Sequence, residues 1–508
     1  MALSNRRLLA AALAASVAFG LYGWTAAPGL TWAHYGADGG ELLAAAVTNG
    51  VPHPPGYPLY ILLLQLWLAA GRALAPAVEL ARLGNLLSAF LGALAVGVTV
   101  LVIARLLDGS RHGVLWALLA GLSWAISPLL WGQALITEVY TLHCLLIALL
   151  GWAALARPCR WWLQAILVGL GLANHATYAL LLPAVLYQAW ATCPAPRRLL
   201  RLCLTPSIGI GIAALLHLRT PWAAAGSGLP PPVNWGYADS WPGVWWLVSG
   251  AAYRHYMFGV GLSDLFGRVA ALAYSVASQF TVLGLAIAVV GLAYVDQHRP
   301  VLRNFALIWI VPVAIYAISY NTVDSEIYLL PITWMGALCL GYGFVAVEQW
   351  LMARSIGTPA ASPWLLVSAV VGIGLLALVL WRAPALSLRN DQEAREFLAA
   401  TIAVIEPDSI VVSSGDARTF ALWYGAWATG ELERAAPGVV LVNEALYQFS
   451  WYRRLLAGLY PDVAGVDISV AELIERHADR RPVYFTETPP DLAADRLMPS
   501  GLLWRYRK

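Results

Sequence analysis

Apolar runs recur along the first 380 positions, separated by short polar segments rich in Pro, Gly and charge. A helix needs about 20 mostly apolar residues to cross the hydrocarbon of a bilayer, where no water satisfies exposed backbone groups. The runs predict spans near residues 8–27, 85–106, 113–131, 140–156, 161–173, 176–190, 202–218, 268–294, 304–320, 329–350 and 363–381, eleven crossings in all. The run from Leu59 to Ala70 is about 12 residues long before Gly71 and Arg72. That is short for a span and predicts a juxtamembrane helix along the interface. After Trp381 the period changes: strand-like SIVVS, VVLVN and RPVYFT alternate with helix-like NDQEAREFLAATIAVI and DISVAELIERHAD. A membrane domain over 1–384 is therefore expected to precede a small α/β domain over 385–508.

Charge orients the spans. Arg6, Arg7, Arg105, Arg111, Arg157, Arg160, Arg197, Arg198, Arg201, Arg299, Arg303 and Arg354 fall on one side, which the positive-inside rule makes cytoplasmic. The N-terminus is then cytoplasmic and the C-terminal domain extracytoplasmic. A twelfth crossing at 59–70 would reverse this bias downstream. Arg6 and Arg7 before an apolar run to Ala27 also fit a signal peptide, but the spans that follow favour a retained first helix. Asp38, Glu41, Glu79, Glu138, Asp239, Asp264, Asp324 and Glu326 all fall in outer loops, near several of the 24 tryptophans.

Composition excludes several classes. With 60% apolar and 12% charged residues, the chain is neither a soluble globular nor a disordered protein. A net charge of +3 spent on orientation leaves no nucleic-acid patch. Lys508 is the only lysine, which excludes a lysine Schiff base and a GKS- or GKT-type phosphate loop. Cys144, Cys159, Cys193, Cys203 and Cys339 have neither paired nor metal-ligand spacing, so no disulfide or cysteine zinc site is expected.

The densest chemistry lies at 36–60, GADGGELLAAAVTNGVPHPPGYPLY. Asp38 and Glu41 share a helix face and can present oxygens to one hydroxyl or cation, or can form a capping box. Gly39 and Gly40 are poor helix formers that allow close approach to the backbone. In VPHPPGYP the prolines stiffen the chain around His53, with Tyr57 at the following helix start; the plain alternative is a loop that only redirects the chain. Glu138 and Tyr140 in WGQALITEVYTLH stand at the mouth of a span, as do Asp324 and Glu326 in YNTVDSEIYLLP. Ionisable groups there face a cavity or, alternatively, favour a helix start through its dipole. Asn174 and His175 occupy a tight turn, where a lone histidine is more often a structural partner. The loop from about 219 to 266 carries Trp235 and Arg254, and a guanidinium there suits a phosphate oxyanion or a lipid headgroup. SGDARTF ends a strand and opens a helix, which suits an anion or a simple turn.

Together, DGGELLAAAVTNGVPHPPGYPLY, RLGNLLSA, WGQALITEVYTL, GLANH, NWG with AYRHYMF, and SGDARTFALWYG resemble a bacterial and eukaryotic membrane family related to protein O-mannosyltransferases acting on receptor ectodomains, within the C-type (GT-C) glycosyltransferases. The resemblance implies a GT-C fold in the bacterial cell membrane, a polyprenyl-phosphate sugar donor and transfer on the outer face. The first-loop acid falls on Asp38, with Glu41 beside it, and the second-loop acid on Glu138; two glycines intervene where yeast-type relatives have an adjacent Asp-Glu pair. The reading is an inverting glycosyltransferase moving a sugar, mannose first, to Ser or Thr hydroxyls of an exported acceptor polypeptide. Asp38 and Glu41 are the catalytic pair; His53, Tyr57, Glu138, Tyr140, Asn174, His175, Trp235, Arg254, Asp324 and Glu326 bind substrates. No cofactor is required, although a divalent cation bridging carboxylates and phosphate is compatible with the acids. The rival reading is a transporter or flippase, whose ionisable groups would sit near the bilayer midplane rather than at helix ends on one side.

Overall fold

The computed structural model describes all residues except 1–3, 156–159, 193–194, 227, 355–362 and 490–491, so Arg157, Cys159 and Cys193 lie outside the described residues. Among the described residues seven helices are long and apolar enough to cross a membrane: Asn5–Thr25, Leu80–Leu106, Arg198–Ala225, Leu262–His298, Pro300–Ser319, Ser325–Arg354 and Trp364–Leu386. Pro58–Leu74, Gly113–Ala125, Tyr140–Leu155 and Trp161–Asn174 are shorter apolar helices. These helices make the chain an integral membrane protein.

Two expected spans are subdivided. The run 113–131 stops as a helix at Ala125, and Pro128 opens a separate helix, Pro128–Gln133, because proline fits a first turn but cannot continue one. The run 176–190 begins as a 3₁₀ turn, Ala176–Leu181, before Leu182–Thr192. The interfacial run is the helix Pro58–Leu74, entered through Tyr57 at φ 42°.

Leu80–Leu106 and Ser325–Arg354 form the centre, with 72% and 78% of their most apolar windows buried; Trp364–Leu386 buries none of its window and turns its apolar side chains outward. Leu80–Leu106 packs on Asn5–Thr25 and Tyr140–Leu155. Near one helix end Glu348 is buried, with His112 Nδ1 at 2.5 Å and the indole N–H of fully buried Trp116 donating to it at 2.7 Å. Glu348→Leu leaves that indole unpaired, a cost of about 1–3 kcal/mol. A lower thermal midpoint of the solubilised protein is expected, and an unchanged midpoint would show that the cluster contributes nothing to stability.

The C-terminal strands are β1 (Ile410–Ser413), β2 (Val440–Asn443), β3 (Val483–Phe485), β4 (Leu497–Ser500) and β5 (Leu503–Tyr506), in sheet order β2-β1-β3-β5-β4. β2, β1 and β3 are parallel and buried as continuous apolar runs, as a sheet covered on both faces requires. The β4–β5 hairpin, turning at Gly501 (φ 60°), is an addition to the expected strands. The domain docks through the Leu388 N–H on the Thr25 carbonyl (2.8 Å), the Ala81 N–H on Tyr424 Oη (3.2 Å) and Trp32 against Phe397. Its helix Asp416–Trp423 lies on the helix Gly39–Val47.

Candidate active site

Gly39–Val47 starts where the 3₁₀ segment Ala33–Asp38 ends, and Asp38 is its N-cap residue without a side-chain cap hydrogen bond. The capping-box geometry is therefore not formed, and the Asp38 carboxylate, 35% exposed, is left to face a cavity. Glu41 instead reaches the proline-rich loop. Its side chain is fully buried, and its two oxygens accept from the His53 backbone N–H (3.2 Å) and from His53 Nδ1 (2.5 Å).

The loop is held from the other side by Val51 and Val233–Trp235: the Val51 N–H donates to Val233 at 2.8 Å and the Trp235 N–H to Val51 at 3.0 Å. This pairing lays Trp235 edge-on at 6.1 Å from His53. His53 Nε2 lies 2.9 Å from Tyr57 Oη and 3.5 Å from Asp38 Oδ2. One imidazole thus joins Glu41 on one nitrogen to Asp38 and Tyr57 on the other.

Burial raises the Asp38 carboxyl to about 6, against the lowering effect of His53 and with Glu41 adding to the rise. Burial also raises Glu41. For His53 burial works downward, but the Asp38 and Glu41 carboxylates outweigh it and bring the imidazole to about 10. Near neutral pH His53 is a cation held between two acids.

A cavity of about 590 Å³ opens beside this constellation. Asp38, Asp324 and Asp416 line it, with His53, His175 and the tyrosines at 35, 57, 140, 253, 256, 316, 320 and 328. Tyr57 and Tyr140 place their rings 5.9 and 5.5 Å from that of His175. Burial, and then the charge of His53, lowers His175 to about 3, so it is neutral.

The remaining expected residues fall in three places. Glu138 and Asn174 stand behind the wall: Glu138 Oε2 accepts from the Val139 N–H (3.1 Å), and Asn174 Nδ2 donates to the Val139 carbonyl (3.3 Å). Burial, then the Asp38 charge, raises Glu138 well above the usual carboxylate range. Glu326 turns into a neighbouring cleft of about 260 Å³, accepting from Tyr35 (3.0 Å) and Ser275 (2.9 Å). Arg254 is exposed and donates to Ser249 Oγ at 2.7 Å, while Tyr253 and Tyr256 of the same 3₁₀ turn line the cavity. Sequence reasoning missed Asp416 and most of the tyrosines; SGDARTF was the one signal for Asp416. Among the described residues no three His, Cys, Asp or Glu side chains converge where they could hold a metal ion.

The fold is similar to those of ArnT and of an archaeal oligosaccharyltransferase. The chain superposes on ArnT from Cupriavidus metallidurans bound to undecaprenyl phosphate with a TM-score of 0.55 at 13% identity, covering 98% of this chain and 97% of that one. The apo state of the same protein gives 0.55 at 15% identity, over 98% and 96% of the two chains. The Archaeoglobus fulgidus oligosaccharyltransferase, in complex with Zn and sulfate, gives 0.50 at 16% identity over 85% of this chain and 62% of that one.

A sequence match adds to this likeness. Residues 38–193 match the family described as Protein O-mannosyl-transferase TMEM260 N-terminal domain. The mouse Protein O-mannosyl-transferase TMEM260 is 38% identical over 115 residues, which is 23% of this chain and 15% of the mouse protein. The mouse match therefore spans a small part of that relative, and the family match starts at Asp38, which faces the cavity.

Proposed function

We propose that the chain is an inverting glycosyltransferase that moves one sugar, mannose first, from a polyprenyl phosphate to a Ser or Thr hydroxyl of an exported polypeptide at the outer membrane face. The observation that carries this reading is the Asp38 carboxylate at the cavity wall, coupled to Glu41 through His53. Asp38 takes the acceptor proton as the hydroxyl oxygen attacks the anomeric carbon. The bond from that carbon to the phosphate oxygen breaks, and the lipid phosphate leaves with the electron pair. His53 is the cation in the cavity wall; it steadies the ionised Asp38 and meets the charge growing on the phosphate. Glu41 fixes the imidazole's orientation, and the tyrosines offer faces for a hexose. The arginine distribution supports an extracytoplasmic cavity, and undecaprenyl phosphate on the fold relative supports a polyprenyl carrier.

The test uses the full chain in vesicles with labelled polyprenyl-phosphate mannose and an exported acceptor protein. Label should appear on acceptor hydroxyls with inverted anomeric configuration. Label crossing the bilayer with no acceptor modified would establish the flippase alternative instead. The base must be unprotonated to act, so kcat/KM should climb with pH through about 6 and then level. A flat profile between about pH 5 and 7 would reassign the base.

A further inference from the structure

The C-terminal domain supplies a wall of the cavity. In its sheet β1 lies between β2 and β3, so the connections leave β1 on opposite sides, and the crevice at the carboxyl ends of β1 and β3 is where open α/β sheets take ligands. Ser414 and Glu487 close that crevice with a 3.0 Å hydrogen bond, and the next acid in the chain, Asp416, lines the membrane-domain cavity. The helix that carries it is seated with little slack: a Cβ at Gly40 would collide with the Phe420 carbonyl. The helix that follows β1 thus carries Asp416 from the ligand edge of the sheet into the wall of the cavity above Asp38.

Asp416 has no ion-pair partner among the described residues, and the nearby Arg418 is taken by the Thr486 carbonyl and by Glu487 at 3.8 Å. Among the described residues no Lys or Arg lines the cavity, while Asp38, Asp324 and Asp416 do, and His53 is committed to Glu41 and Asp38. Asp416 is the cavity acid carried by the C-terminal domain rather than by the membrane domain. We propose that Asp416 is a specificity-determining residue that pairs with a Lys or Arg side chain flanking the acceptor hydroxyl. This inference rests on the glycosyltransferase reading above.

The test compares peptides in which one Ser is flanked by Lys, Gln or Glu, with the full chain in vesicles and polyprenyl-phosphate mannose as donor. KM should rise from the Lys to the Glu peptide by about tenfold at low salt, and the ratio should shrink as salt is added. Asp416→Asn should collapse the ratio to within about twofold, Asp416→Glu should restore it, and Asp416→Lys should reverse the order. Transfer without a charge preference in the wild type, or a preference that survives Asp416→Asn, overturns the assignment alone. Wild-type protein that labels no peptide and no acceptor protein overturns the glycosyltransferase reading and this inference with it.

Discussion

Asp38→Asn is expected to lower sugar transfer by about 10²- to 10⁴-fold, the range over which a positioned general base acts. The amide keeps the size and hydrogen-bonding outline of the carboxylate but cannot take a proton. The fold should survive. Burial raises the Asp38 carboxyl above its ordinary value, to about 6, so its ionised form is disfavoured in the folded protein relative to the unfolded chain. That penalty is absent at low pH, develops as pH rises past the ordinary carboxylate value, and is complete above about 6. A neutral Asn removes it. The variant should therefore melt no lower than wild type at neutral pH while transferring far more slowly, the pairing expected of a group kept for chemistry rather than stability. Single-turnover transfer and thermal unfolding on the same preparation test this. Transfer at the wild-type rate would end the assignment of Asp38 as base.

The apolar pattern located the long apolar helices because hydrophobic run length is a local property, and breaks such as Ser127–Pro128 came where proline stops a helix. The three parallel strands were legible for the same reason, as short apolar runs between turns. What pattern could not supply was direction. Asp324 and Glu326 look equivalent in YNTVDSEIYLLP, yet they flank the start of a 3₁₀ turn, where residues two apart point away from each other; one faces the cavity and the other the neighbouring cleft. The same geometry points Tyr253 and Tyr256 inward together and leaves Arg254 outside. Gly39 and Gly40 signalled a close approach, but the partner was an element nearly 400 positions away, the backbone of Phe420. Contacts at such separation leave no local periodicity, so SGDARTF marked a strand-to-helix turn without showing that its Asp416 lines the cavity.

His53→Ala is expected to be the most destabilising single change near the site. It strands Glu41, whose side chain has no exposure, with no other ion-pair partner among the described residues and only neutral groups, the residue 53 backbone N–H and the Trp235 indole, beside it. Removing one partner of a buried ion pair costs about 3–5 kcal/mol, because the remaining charge keeps its desolvation penalty and loses its compensation. The diagnostic step is the second substitution. Adding Glu41→Gln to His53→Ala removes the stranded charge and should recover much of the lost thermal stability, a strongly non-additive cycle of the kind contacting residues give. Transfer should stay low in both variants, since Asp38 has lost the cation that favours its ionised form. A double variant no more stable than His53→Ala would mean that Glu41 carries its own proton once His53 is gone, so that no charge is stranded.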